Sequence, residues 1–189
     1  MLLFYIVTIF CVGLQLCQAE APVTPPVRCG AIPRAIFTCL NMPKVVKPEI
    51  AEQCKDVQSP HCARMTCLFE KSGWMDGKNV DKAKIKAYLD DFAKQKAAWS
   101  TPIEHVKETC LSGELPAQGV HLGCPAYDVM QCALANFIKK SEASEWSTAP
   151  QCEYPRQFAA SCPICPSDCF EPQIPTGSCN ACLSLPRSP

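Results

Sequence analysis

The chain has 189 residues with 18 basic and 18 acidic side chains, a balance that gives neither nucleic acid nor an anionic membrane surface an electrostatic hold. Sixteen cysteines exclude a reducing compartment as its working place, because thiols at that density persist where they are oxidised into cross-links. With 48% apolar residues, the chain can build a hydrophobic core as well as depend on its disulfides.

Residues 1–19 read as a secretory signal. Leu2 to Leu16 is apolar and uncharged, and shorter than the roughly 20 residues of a membrane-spanning helix. Cys17-Gln18-Ala19 then offers small residues to a signal peptidase, so cleavage before Glu20 is expected, leaving a secreted, extracellular chain that is not membrane-embedded. Residues 20–33 are an extended lead-in with prolines at 22, 25, 26 and 33.

From there to residue 162 the pattern predicts one helical domain. Pro48 opens a short helix to Asp56, and Ser59-Pro60 supplies an N-cap and a first-turn proline for the next, which Gly73 closes. Asp81 starts what reads as the longest helix, with Ile85, Tyr88, Leu89, Phe92 and Trp99 recurring at steps of three and four. Thr101-Pro102-Ile103-Glu104 has the form of a capping box for a helix ending at Gly113. Cys124-Pro125 begins another, carrying Tyr127, Met130, Leu134, Phe137 and Ile138 on one stripe and Lys139-Lys140 at its end. Pro155 to Ala160 allows one more turn or two. Sustained strand alternation is missing, so the expected fold is all-α: a compact, disulfide-linked bundle of six or seven short helices. Residues 163–189, with six prolines and four cysteines, read as a disulfide-stapled tail.

Fourteen cysteines follow the signal, and all are expected in disulfides: Cys29, Cys39, Cys54, Cys62, Cys67, Cys110, Cys124, Cys132, Cys152, Cys162, Cys165, Cys169, Cys179 and Cys182. Cys162-x2-Cys165 and Cys179-x2-Cys182 have zinc-ribbon spacing, but in an exported chain oxidation competes for the same thiolates, and disulfides are favoured over metal. Asp76-Gly77-Lys78-Asn79-Val80-Asp81 is calcium-like only at a glance, because Lys78 and Val80 stand where oxygen ligands belong. Asp90-Asp91 reads as a solvated pair on a helix. His61, His105 and His121 lie in no catalytic motif, and no Gly-x-Ser-x-Gly elbow occurs. The expectation is a protein that is not an enzyme and has no cofactor. Its large apolar side chains suit ordinary core packing one by one. Cross-linked helices also tolerate a partly empty interior, and such a hollow would suit small hydrophobic ligands.

The cysteine order resembles that of the insect odorant-binding proteins. Cys39, Cys62, Cys67, Cys110, Cys124 and Cys132 thread short capped helices, and the segments Cys62-Ala-Arg-Met-Thr-Cys67-Leu-Phe-Glu-Lys-Ser-Gly73 and Cys124-Pro-Ala-Tyr-Asp-Val-Met-Gln-Cys132 carry the likeness. The extra cysteines, with Phe137-Ile-Lys-Lys and Trp146-Ser-Thr-Ala-Pro-Gln-Cys152, are similar to the cysteine-rich Plus-C group. The likeness covers residues 29 to about 162. It departs from the family in the spacings of Cys62 to Cys67 and Cys124 to Cys132, and in Ser141, which stands where a Plus-C alignment expects cysteine.

The resemblance implies Cys39–Cys67, Cys62–Cys124 and Cys110–Cys132 under one alignment, and Cys62–Cys132 under the other. It implies a carrier of odorants, pheromones or similar molecules through sensory lymph, with delivery to an olfactory receptor or other membrane protein. Cavity walls are assigned to Phe69, Leu89, Phe92, Val106, Leu134, Phe137 and Ile138, with Tyr88, Tyr127 and Thr66 as polar groups that would orient a ligand. Two other readings stay open: a cysteine-stapled secreted interaction protein (an inhibitor or defence protein) without a cavity, and a carrier of the same fold in non-sensory fluid.

Overall fold

A computed structural model describes residues 27–57, 61–113, 115, 124–165 and 169. The signal, the Ser59-Pro60 start signal, His121 and most of the tail lie outside them. Among the described residues the architecture is helical: α1 (Ile36–Cys39), α2 (Pro48–Gln53), α3 (His61–Lys71), α4 (Lys82–Gln95), α5 (Ser100–Cys110), α6 (Pro125–Lys140) and α7 (Glu153–Ser161). Only a short hairpin, β1 (Met75–Asp76) and β2 (Asn79–Val80), interrupts the helices. The all-α, disulfide-linked fold is as expected.

Local chemistry explains the sharpest boundary. After α3, Gly73 takes φ +74°, which costs glycine nothing. The Trp74 N–H then reaches back to the Phe69 carbonyl at 2.8 Å, and the Gly73 N–H to Glu70 at 3.0 Å. This paired closure satisfies two terminal carbonyls and turns Trp74 into the core. Gly77, at φ +58°, makes the two-residue hairpin turn that follows. Asp81 then caps α4, its carboxylate accepting from the Lys84 N–H at 3.0 Å.

Other boundaries differ from expectation. The longest helix is α6, with 16 residues, whereas α4 has 14. The Thr101–Glu104 capping box does not form. A 3-10 turn over Ala97–Trp99 buries Trp99 and runs straight into α5, so the helix is under way at Ser100 and Thr101 lies exposed in its first turn. Glu104 pairs instead with Lys107, one turn on. The helix stops at Cys110 rather than Gly113, and α7 is longer than the short turn expected, running over nine residues.

Helix α6 is the centre of the bundle. It buries Ala126, Tyr127, Val129, Cys132, Ala133, Ala135, Phe137 and Ile138, wider than one apolar stripe, because α3, α5 and α7 all pack on it. Trp99 meets Phe137 edge to face at 5.9 Å, fixing the α5 side. Lys139 projects from its end and donates to the carbonyls of Ala159, Ala160 and Cys162, so this cation serves the negative end of α7. Partial burial, with Lys140 adjacent, holds its pKa below the ordinary lysine value.

Between described residues, five disulfides close this frame: Cys29–Cys162, Cys39–Cys152, Cys54–Cys67, Cys62–Cys124 and Cys110–Cys132. Two of the implied pairs are present. Cys39–Cys67 is not, and the reason lies in the backbone around it. Leu40 pairs as a β-bridge with Trp146, and the Ser147 N–H bonds the Cys39 carbonyl at 2.7 Å, which sets Cys39 beside the segment leading to Cys152. Cys67 meets Cys54, from the turn after α2. The second alignment fails as well, since Cys132 is joined to Cys110 and not to Cys62. Ser141 acts by hydrogen bonding: its hydroxyl donates to Ile138 at 3.1 Å and accepts from the Trp146 indole at 2.8 Å.

Cys165 and Cys169, in the segment expected to be a disulfide-stapled tail, are buried and disulfide-bonded, and Ile164 packs into the core. Of the cysteines with zinc-ribbon spacing, Cys162 bonds Cys29 and Cys165 is also disulfide-bonded, the outcome expected of them over metal, which engages two of the four thiolates a zinc site would need. Cys179 and Cys182 lie outside the described residues. Among the described residues no helix is long and apolar enough to cross a membrane.

Candidate functional site

The bundle forms a cavity of about 600 Å³ that opens to the surface. Its inner wall combines Phe69 of α3, Trp74, Ile85 and Leu89 of α4, Val106 of α5, and Val129, Ala133 and Phe137 of α6, all buried, with Met130 and Leu134 half-buried beside them. None of these is charged. The volume falls within the roughly 300–1,000 Å³ range of small-molecule sites.

The aromatic wall is built by local sequence. Phe69 and Trp74 flank the Gly73 closure and meet edge to face at 5.4 Å. Trp74 continues to Tyr88 at 5.1 Å and Tyr88 to Phe92 at 6.4 Å, so one line of rings braces α3 against α4.

One side of the cavity is closed without any helix. Met42, Pro43, Lys44, Val45 and Val46, between α1 and α2, form an irregular strap along it. The Tyr88 hydroxyl donates to the Val45 carbonyl at 2.8 Å and holds the strap to α4. Burial and the nearby negative charge of Glu49 raise the Tyr88 pKa, so the hydroxyl keeps its proton well into alkaline solution.

Of the side chains assigned from sequence, Phe69, Leu89, Val106, Leu134 and Phe137 come together on the wall. Phe92 and Ile138 do not line it: Phe92 stacks behind Tyr88, and Ile138 is buried in the core around α6. The three hydroxyls also lie elsewhere. Tyr88 is engaged with Val45, Thr66 sits 3.9 Å from the sulfurs of both Cys62 and Cys124, and Tyr127 is fully buried off the wall. The inner wall thus has none of the orienting groups expected of it.

Sequence reasoning missed the strap, Trp74, Ile85, Val129, Ala133 and four charged residues at the opening. Ile85 was on the α4 stripe and Trp74 beside the glycine closure, so both carried a usable signal. The opening did not, since its members come from three separate segments. Lys44, Glu52, Lys55 and Arg64 line the cavity yet are exposed, which places them at its mouth. Lys55 pairs with Glu52, while Asp90 and Asp91 are exposed on α4 and pair with Lys107 and Lys94.

Fold and cavity define a class: a disulfide-linked all-α protein with an apolar chamber between its helices. The chain is similar to general odorant-binding protein 68 of Anopheles gambiae, at 28% identity, the match covering 66% of this chain and 68% of the relative. No family model matches the chain. No solved structure matches it.

Proposed function

We propose that this protein is a secreted, non-catalytic carrier of the insect odorant-binding family, of the Plus-C kind, that holds small hydrophobic molecules in the central cavity and moves them through aqueous sensory fluid to a membrane receptor. The observation that carries this reading is a chamber of about 600 Å³ whose inner wall is mainly apolar and carries no charged side chain. The likeness to an odorant-binding protein supports it, as do the disulfides of an exported chain. Cys29–Cys162, with both members outside the six-cysteine frame, and Cys39–Cys152, which ties that frame to a cysteine beyond it, support the Plus-C grouping. Phe69, Leu89, Val106, Leu134 and Phe137 are the proposed contacts, joined by Trp74 and Ala133.

The driving force is transfer of ligand surface out of water. Each methylene buried contributes about 0.8 kcal/mol, roughly a fourfold gain in affinity. A homologous series of straight-chain alcohols, competed against a fluorescent naphthylamine probe, therefore tightens steadily with length and then levels off once the chamber is full. A correctly oxidised sample that takes up no probe, or that shows no dependence on chain length, defeats the proposal. The interaction-protein reading predicts that result.

A further inference from the structure

The charged residues at the mouth extend the carrier reading, on which this inference rests, to a class of ligand. The lining of the chamber holds four charged side chains, Lys44, Lys55, Arg64 and Glu52. All four are exposed and the deeper wall has none, so the charges sit where a guest's head would meet water. Glu52 is engaged by Lys55. Lys44 and Arg64 pair with no acid among the described residues, leaving the rim with an excess of positive charge. Lys47 and Glu49, exposed on either side of Pro48, do not line the chamber and offset each other.

Three segments bring these cations together. Lys44 comes from the strap that Tyr88 holds at Val45. Lys55 follows Cys54, which is bonded to Cys67 on α3 with Cα atoms 6.0 Å apart. Arg64 lies one turn before Cys67 on that helix. The disulfide that replaces the expected Cys39–Cys67 pair therefore draws Lys55 toward the helix that carries Arg64. A neutral guest could accept hydrogen bonds from this rim but would gain no ion pair from it.

We propose that the chamber takes a single-chain amphiphile with a carboxylate head, a straight-chain fatty acid, its tail against Phe69, Leu89 and Phe137 and its head between Arg64 and Lys44. The guanidinium fork matches a carboxylate in shape as well as charge. At roughly 30 Å³ per methylene-sized group, the share of volume a liquid water takes, 600 Å³ holds about twenty heavy atoms. A twelve-carbon acid fits with room to spare.

The test is competition binding to the full oxidised chain with dodecanoic acid, its methyl ester and dodecanol, at pH 7.5 and in 50 mM and 1 M salt. The acid is expected to bind about tenfold more tightly than the ester at low salt, with the preference shrinking at 1 M as the rim charges are screened. In an Arg64→Gln, Lys44→Gln double variant the acid-to-ester ratio falls toward one. It stays unchanged in Lys96→Gln, which removes an exposed charge away from the mouth. Equal binding of acid and ester by the unaltered protein, or a preference that survives the double variant, overturns the head-group assignment and leaves the carrier reading standing. Failure of all three ligands to bind overturns both.

Discussion

The Tyr88 hydroxyl and the Val45 carbonyl, 2.8 Å apart, join the long α4 helix to the strap that closes the chamber. Among the described residues the backbone bonds within the strap are short-range turns, such as Val45 N–H to the Pro43 carbonyl at 3.0 Å. Removing the hydroxyl while keeping the ring should therefore loosen the strap more than the fold. Tyr88→Phe is expected to cost about 1 kcal/mol in a urea melt, the ordinary net value of one hydrogen bond. Hydrogen exchange should quicken at residues 42–46, with little change in α6. Because the folded protein raises the Tyr88 pKa, the stability tied to this group is fully present below pH of about 10, and is lost as pH rises through the folded value. The variant should lack that alkaline component.

Asp81 predicts the opposite dependence. Its carboxylate accepts the Lys84 N–H and pairs with the Lys84 ammonium, and these bonds lower its pKa. The stability it contributes is present above about pH 3.9, the unperturbed value, and is lost as pH falls through the lowered folded value. Asp81→Asn keeps a competent cap without the charge. Thermal melts should show little change near neutral pH and a flatter fall on the acid side.

Ala133 offers a way to fill the chamber from its floor. It lines the cavity from α6, and an added ring has open volume to occupy. Ala133→Phe is expected to weaken uptake of the naphthylamine probe at least tenfold while the melting temperature holds or rises. A variant that binds as the original does would place the probe outside the cavity.

The disulfide arrangement is directly checkable. A non-reducing digest should yield the Cys54–Cys67 and Cys39–Cys152 peptides and no Cys39–Cys67 peptide. Replacing Cys54 and Cys67 together by serine opens a loop with a sequence separation of 13, which by chain entropy costs about 3 kcal/mol in a denaturant melt.

Much of the helical plan was legible because its signals are local. Gly73 ends α3 by a backbone conformation that glycine adopts freely, Asp81 caps α4, and Pro125 fits a first turn that needs no N–H. The inward stripes likewise placed Phe69, Leu89, Val106, Leu134 and Phe137 on a common wall. The Thr101 capping signal was overridden because burying Trp99 in a 3-10 turn started α5 two residues too soon for it.

By itself, then, the sequence determined an oxidised, helical, charge-balanced chain and the face each main helix turns inward, since periodicity and capping act over a turn or two. Only the tertiary structure decided which sulfur Cys67 meets, that Tyr88 faces a carbonyl rather than a ligand, and that Lys44, Lys55 and Arg64 share one rim. Those outcomes depend on which distant segments become neighbours. A bridge between Leu40 and Trp146 settles the partner of Cys39 from 106 residues away, and no local pattern contains that contact.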